Sequence, residues 1–259
     1  MVTNIYNCEF AMKSIQNPMI SVITVCYNAV DTIEKTILSV INQTYQNIEY
    51  IIIDGASTDG TIEVINKYRD RIAHFVSEPD EGIYDAMNKG IKAATGEWIN
   101  FMNAGDVFHC KTSLFDIFSH AILDSVMVLY SDNDILFREG QKKRCINNMT
   151  SHVYGFNHQS IIYRKQLHER YGFYINSPVK LLISDTLFFA AIPNEVKMKV
   201  NSIIADYQYG GVSSIDDSLL YEQNLCAEFI FRNMSLRSLL ISLLKRYIRS
   251  LLPSYLKRN

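Results

Sequence analysis

No stretch of eighteen uncharged apolar residues occurs in the 259-residue chain, so the sequence offers no transmembrane helix of the usual length. The amino terminus lacks the basic segment followed by an apolar run that marks a secretory leader. Cysteine is sparse and scattered: Cys8, Cys26, Cys110, Cys145 and Cys226 show neither the paired spacing of a zinc site nor that of a disulfide framework. A reducing cytosol is the expected home. The phosphate-binding glycine motifs are missing as well. No Gly-x-Gly-x-x-Gly follows the first apolar run and no P-loop signature occurs, which argues against dinucleotide oxidoreductases and P-loop enzymes. Residues 232–259 lack any acid while holding Arg232, Arg237, Lys245, Arg246, Arg249, Lys257 and Arg258, which leaves 18 bases against 27 acids in the rest of the chain. An acidic body with a basic tail does not suit a nucleic-acid partner, which needs a basic face on the folded body; it suits an anionic membrane surface.

What is present is apolar residue in quantity and in order. A hydrophobic content of 48% suffices for one large domain with a small appendage. From Ile20 to Met102, short apolar runs alternate with segments of helical spacing, the pattern of successive βα units on a mostly parallel sheet. Strands are expected over Ile20 to Tyr27, Ile48 to Asp54, Ala73 to Ser77 and Trp98 to Met102. Their nearly unbroken Ile and Val content fits strands covered on both faces. Asp31 with Glu34 predicts a capping box for the first helix, Asp59 or Thr58 a cap for the second, and Ile83 to Ala94 a third helix. Beyond Asp106 the order becomes mixed, with a hairpin expected around Arg138-Glu139-Gly140-Gln141. No repeat or linker divides the chain. We therefore delimit an N-terminal extension (1–17), a half of successive βα units (18–110), a half of mixed order (111–215) and a C-terminal helical segment (216–259).

In an open parallel sheet, ligands bind outside the carboxyl ends of the strands, so the polar residues just after those strands are the candidates. They are Thr24 to Asn28, then Asp54-Gly55-Ala56-Ser57-Thr58-Asp59-Gly60-Thr61, then Asn103-Ala104-Gly105-Asp106. Asp54 can accept hydrogen bonds from a ribose or a base edge, and Gly55 and Gly60 allow sharp turns beside a ligand. The alternative for Asp54 and Asp59 is an Asx turn with a helix cap. Asp106 can share a hard divalent cation with a diphosphate, or can serve only as a turn residue after Gly105.

Tyr27-Asn28, the Asp54–Thr61 run, Ser77-Glu78-Pro79-Asp80-Glu81-Gly82-Ile83-Tyr84-Asp85-Ala86-Met87-Asn88-Lys89-Gly90 and Thr95-Gly96-Glu97-Trp98 together resemble the family-two glycosyltransferases. Within that family they resemble the bacterial group that builds colanic acid, O-antigen and other surface polysaccharides. The similarity is strong over residues 18–110 and weaker to about 212. It implies a GT-A fold: a Rossmann-like, mostly parallel sheet flanked by helices, a mixed α/β acceptor region, and here a helical tail. It also implies a nucleotide-sugar donor, usually a UDP-sugar, and Mn²⁺ or Mg²⁺ at the family's Asp-x-Asp position. This chain departs there, since Asn103 replaces the first carboxylate and Asp106 remains as metal ligand with Asn103 in support. The resemblance assigns Thr24, Tyr27 and Asp54 to the nucleoside pocket and Asp85 and Asn88 to the donor-facing helix. For Tyr27 packing in the core stays open, and for Asp85 a first-turn acid on the helix dipole.

An inverting transfer needs a base within reach of the acceptor hydroxyl. Asp185, in Leu181-Leu182-Ile183-Ser184-Asp185-Thr186, matches the acid near a helix start that plays this part in similar enzymes, with Ser184 or Asp185 as a plain N-cap as the alternative. His158 and Gln159 resemble an acceptor-side segment, and His158 also suits a structural hydrogen-bonding role. Gly210-Gly211-Val212-Ser213 matches a loop over the site. From Leu236 to Leu252, apolar residues at helical spacing with Arg237, Lys245, Arg246 and Arg249 between them predict an interfacial basic helix, or one packed on the body or in a homodimer. The Gln-x-x-Arg-Trp signature of processive synthases is absent. Together these predict a metal-dependent inverting glycosyltransferase, peripheral on the cytoplasmic face of the cell membrane, that adds single sugars to a lipid-linked saccharide. The rivals are a non-catalytic nucleotide-sugar-binding scaffold and a sugar-nucleotide pyrophosphorylase, for which the basic glycine-rich phosphate loop is missing.

Overall fold

The computed structural model describes residues 17–120, 122–137, 140–150, 156–177, 181–210 and 217–231. The expected tail helix, Gly211, Val212, Ser213 and nearly all of the N-terminal extension lie outside them. The first half runs β1 (Ile20–Cys26), α1 (Ile33–Ile41), β2 (Ile48–Asp54), α2 (Thr61–Asn66), β3 (His74–Ser77), α3 (Ile83–Ala93), β4 (Trp98–Phe101). All seven residues of β1 are buried because it is central, parallel to β2 on one side and to β4 on the other, with Ile20 opposite both Ile48 and Trp98. Its alternate residues feed different layers. Ile20 and Val22 pack with Ile33, Ile37 and Val40 of α1, and Ile23 and Val25 with Met87 and Ile91 of α3. Strand side chains alternate between faces, so a strand covered by helices on both sides must be apolar throughout. Gly90 sets the approach of α3: a Cβ there would lie 2.5 Å from Ile23 Cγ2.

The strand ends differ from expectation by about one residue, because the chain turns off β1 at Asn28 with φ +45°. The expected capping box of α1 does not form. Thr32 precedes the first helical residue with its hydroxyl turned back on the Ala29 carbonyl, and Glu34 accepts from Tyr68 instead. At α2 the cap position is Gly60 (φ +100°), and Asp59, one residue further out, accepts from the Thr61 backbone and hydroxyl at 3.0 and 2.6 Å.

The second half contributes β5 (Val107–Phe108), α4 (Ser113–Phe118), β6 (Val128–Tyr130), β7 (Asn133–Leu136), β8 (Lys142–Cys145), β9 (Ile161–Arg164), α5 (Leu167–Tyr171), α6 (Ser184–Ala191), β10 (Lys197–Lys199), β11 (Ala205–Gln208) and α7 (Asp217–Phe231). Among the described residues, the main sheet has the order β10-β6-β9-β4-β1-β2-β3 and a second sheet the order β5-β11-β7-β8. β9 lies antiparallel between β4 and β6, so the main sheet takes strands from both halves. β7 and β8 pair as the expected hairpin, closed by Phe137 and Gln141. The result is a mixed α/β fold on a mostly parallel central sheet.

Candidate active site

The loops after β1 and β2 are zipped together. The Asn28 backbone N–H donates to Ser57 Oγ at 2.8 Å, and the Thr58 N–H donates to Asn28 Oδ1 at 3.0 Å. Ala56 adopts φ +61°, a left-handed conformation that costs a non-glycine residue about 1 kcal/mol and persists where the surroundings impose it. Asp54 imposes it from below. Its carboxylate, without solvent exposure, accepts from Ser57 N at 2.9 Å, Ser57 Oγ at 2.5 Å and Ser77 Oγ at 2.6 Å. Asp54 thus shapes the rim from beneath it. Tyr27 stands on the rim itself, 66% exposed, which excludes a core role. A Cβ on Gly55 would lie 2.5 Å from Asp80 Oδ2 and 3.4 Å from the Tyr27 ring, so the glycine lets those two side chains converge.

The third loop, after β4, turns through Gly105 (φ +102°) and is fastened by Thr36, whose hydroxyl accepts from Gly105 N and donates to the Asp106 carbonyl. The Asp106 carboxylate is 4% exposed and accepts from Gln159 Nε2 at 2.6 Å and Gln208 N at 2.9 Å. Among the described residues no Lys or Arg pairs with it. Burial pushes its carboxyl up to about 6, opposed by the Gln208 N–H, His158, Gln159 and the charge of Lys35.

From the same loop, a chain of side-chain contacts leads to α6. Asn103 Nδ2 lies 3.0 Å from His158 Nε2, His158 Nδ1 lies 3.1 Å from Asp185 Oδ2, and Tyr84 Oη and Thr186 N each lie 2.9 Å from Asp185 Oδ1. Burial alone would raise the Asp185 carboxyl. The His158 and Tyr84 contacts outweigh it and hold the group below the usual carboxylate range. Ser184 is the first helical residue rather than an N-cap, with its hydroxyl accepting from Ile175 N. His158 and Gln159 sit in a short turn leading into β9, and Asn100 Nδ2 of β4 donates to the Gln159 carbonyl of the turn and to the Ile161 carbonyl at the start of β9.

Two residues expected at the donor make their hydrogen bonds to the protein. Thr24 points into the core: its hydroxyl donates to the Met102 carbonyl at 2.8 Å and meets Tyr50 Oη at 3.0 Å, because it lies two residues short of the strand end. Asn88 faces the body, clamping the Tyr174 backbone by bonds of 2.8 and 3.0 Å, because its turn of α3 packs against the chain around Tyr174. Asp85 accepts from Glu81 N and pairs with Lys89 one turn on, as a first-turn acid does. Three residues given no role from sequence prove central: Asp80, Tyr84 and Thr36. The first two lie inside the motif that carries the family resemblance, whereas nothing local marks Thr36.

His109, Asp134 and Asp206 bring possible ligand atoms within 4.8 Å of one another. Lys142 Nζ already lies 2.9 Å from Asp134 and 3.2 Å from Asp206, and Arg144 pairs with Asp134, so protein cations neutralise this group. A cavity of about 250 Å³ lined by Met149, Phe156, Phe189, Ile192, Pro193 and Phe231 lies at the far end of α6 from Asp185.

Residues 21–114 match the model of glycosyl transferase family 2. An uncharacterised glycosyltransferase of Mycobacterium tuberculosis is 41% identical over 92 residues, 35% of each chain. The Escherichia coli UDP-Glc:alpha-D-GlcNAc-diphosphoundecaprenol beta-1,3-glucosyltransferase WfaP is 42% identical over 89 residues, 34% of this chain and 36% of its own. The matches at this identity thus span about a third of those relatives. A PGL/p-HBAD biosynthesis glycosyltransferase of Mycobacterium bovis is 26% identical over 216 residues, 76% of this chain and 80% of its own. Among solved structures, S. aureus TarS 1–349 in complex with UDP-GlcNAc superposes with a TM-score of 0.64 at 18% identity, over 85% of this chain and 68% of that one. The mannosyltransferase PcManGT of Pyrobaculum calidifontis, in complex with GDP-Man and Mn²⁺, superposes with a TM-score of 0.62 at 18% identity, over 82% and 63%. Residues 21–114 thus match the family-two glycosyltransferases, and the chain that carries them has the GT-A fold.

Proposed function

We propose that the chain is a metal-dependent inverting glycosyltransferase that moves a sugar from a nucleotide-sugar, preferentially a UDP-sugar, to a hydroxyl of a lipid-linked saccharide during surface polysaccharide assembly. The observation that carries this reading is the meeting of the Asn103–Asp106 loop with Asp185 through one His158-Gln159 turn. A diphosphate-side acid and an acceptor-side acid thereby share one rim. The donor nucleoside lies against Tyr27 and the loop shaped by Asp54, and the diphosphate lies toward Asp106.

Asp106 and Asn103 fit a hard cation. Among the described residues Asp106 is a buried carboxylate with no salt-bridge partner, Lys35 acting on it only through its charge, and Asn103 Oδ1 is buried without a hydrogen-bond partner. Hard divalent ions take such oxygen ligands. A bound Mn²⁺ or Mg²⁺ would neutralise charge on the departing diphosphate. Asp185 accepts the proton of the acceptor hydroxyl, whose oxygen bonds to the anomeric carbon as the carbon–diphosphate bond breaks, with inversion. The lipid-linked acceptor is supported by WfaP, whose name specifies a diphosphoundecaprenol substrate, and the UDP donor by the TarS complex with UDP-GlcNAc. The acid-free basic tail is the membrane contact on the cytoplasmic side.

Release of nucleoside diphosphate is measured from UDP-, GDP- and dTDP-sugars with lipid-linked acceptors, with Mn²⁺ or with chelator. One donor is expected to be turned over in a metal-dependent way, with Asp185→Asn losing turnover but keeping donor binding. Donor binding without release under every condition would establish the scaffold reading, to which the missing first carboxylate at Asn103 lends its support.

A further inference from the structure

His158 touches both sides of the site, and its two ring nitrogens do different things. Nδ1 faces an ionised carboxylate oxygen of Asp185 at 3.1 Å, a contact that is attractive only if Nδ1 carries the proton. Nε2 faces Asn103 Nδ2 at 3.0 Å and accepts from it when it carries no proton. The ring is further held edge-on by Phe101, at 6.3 Å and 88°. Asp185 has few other anchors. Tyr84 and Thr186 both address Oδ1, and among the described residues His158 is the one side chain that holds Oδ2. Tyr84 Oη also lies 2.9 Å from the Leu182 carbonyl, so its single proton is shared between two acceptors. The carboxylate plane is therefore set chiefly by the Nδ1–H of His158.

We propose that His158 is a positioning residue for the base, its Nδ1–H orienting Asp185 Oδ2 toward the acceptor hydroxyl while the proton of that hydroxyl ends on Asp185 and not on the imidazole. The inference rests on Asp185 being the base of the transferase described above. It assigns the imidazole no bond-making step. The O–H bond of the acceptor breaks toward Asp185, the oxygen's electron pair forms the glycosidic bond, and the bond to the diphosphate breaks with its pair. A misdirected carboxylate slows this step without weakening the donor, since displacements on the order of 1 Å in a reacting group cost up to about 100-fold.

The test uses the side-chain amides that mimic one imidazole nitrogen each. Asn places its N–H near the position of Nδ1, and Gln near that of Nε2. In the full chain, His158→Ala and His158→Gln are expected to lower kcat between about 10- and 100-fold with donor KM within about twofold of wild type. His158→Asn is expected to recover at least about tenfold over His158→Ala. Recovery by Gln but not Asn would overturn the proposal in favour of the Asn103 contact; failure of both amides would make the imidazole itself the proton acceptor; and an unchanged kcat in His158→Ala would remove His158 from the step. If instead Asp185→Asn turns over like wild type, the assignment of the base has failed and not merely its positioning. The ring state is read without turnover from the ¹⁵N shifts of His158 in the wild-type protein. A protonated Nδ1 with a bare Nε2 is expected, and the opposite tautomer overturns the proposal.

Discussion

Burial governs the protonation of Asp106, the proposed metal ligand. A carboxyl held at about 6 by burial prefers its proton, so its contribution to stability is present below the unfolded pKa and is lost as pH rises through about 6. A divalent cation competes with that proton. The rise in Tm produced by Mn²⁺ should accordingly be full at pH 7.5 and shrink as pH falls below about 6, which thermal unfolding with Mn²⁺ and with chelator measures; a metal-induced shift independent of pH would place the ion elsewhere. Asp185 behaves in the opposite sense, since its depressed carboxyl contributes stability above the unfolded pKa that disappears as pH falls through the lower folded value. Asn88 belongs to neither group. Asn88→Ala should cost about 1–3 kcal/mol in urea unfolding, because the Tyr174 N–H and C=O lose their buried partners, while donor KM stays near wild type. A large rise in donor KM without loss of stability would restore the donor-facing role that the family resemblance implies. Nothing in the local sequence distinguishes the two roles for an amide in the second turn of a helix.

At the scale of elements, the sequence was legible wherever a single periodicity acted alone. The continuous apolar run of β1, the alternation of βα units and the helix over Ile83–Ala93 followed from patterns that burial on two faces requires. Caps were less legible, because each candidate side chain found another partner: Thr32 donates to the Ala29 carbonyl, Ser184 accepts from Ile175 N, and Asp59 accepts from Val30 N, 29 residues away. The packing of α3 on β1 yields a direct test. Gly90→Ala places a methyl group against Ile23, itself locked between two strands, and should destabilise the fold by about 1–3 kcal/mol in denaturant unfolding. An unchanged midpoint would show that α3 can lift off the sheet without cost.

At the scale of the whole molecule, the charge divides between an acidic body and a basic, acid-free segment 232–259. If that segment is the membrane contact, the protein should sediment with vesicles rich in anionic lipid, less so in high salt, and a Lys245→Glu, Arg246→Glu, Arg249→Glu variant should remain in the supernatant with its donor hydrolysis intact. Equal binding to neutral vesicles would point to another mode of association. The sequence by itself determined the class of fold and the rim on which the candidate site sits, because the hydrophobic period and the polar residues that follow each strand are local properties of the chain. Only the tertiary structure decided which rim residues work together. Gln159 and Gln208 reach Asp106 from 53 and 102 residues away, and His158 and Tyr84 reach Asp185 from 27 and 101, contacts that exist only once β9, β11 and α3 have packed around the ends of β1 and β4. The same packing turned Thr24 and Asn88 inward, since a side chain's direction depends on which face its neighbours cover and not on the motif in which it is spelled.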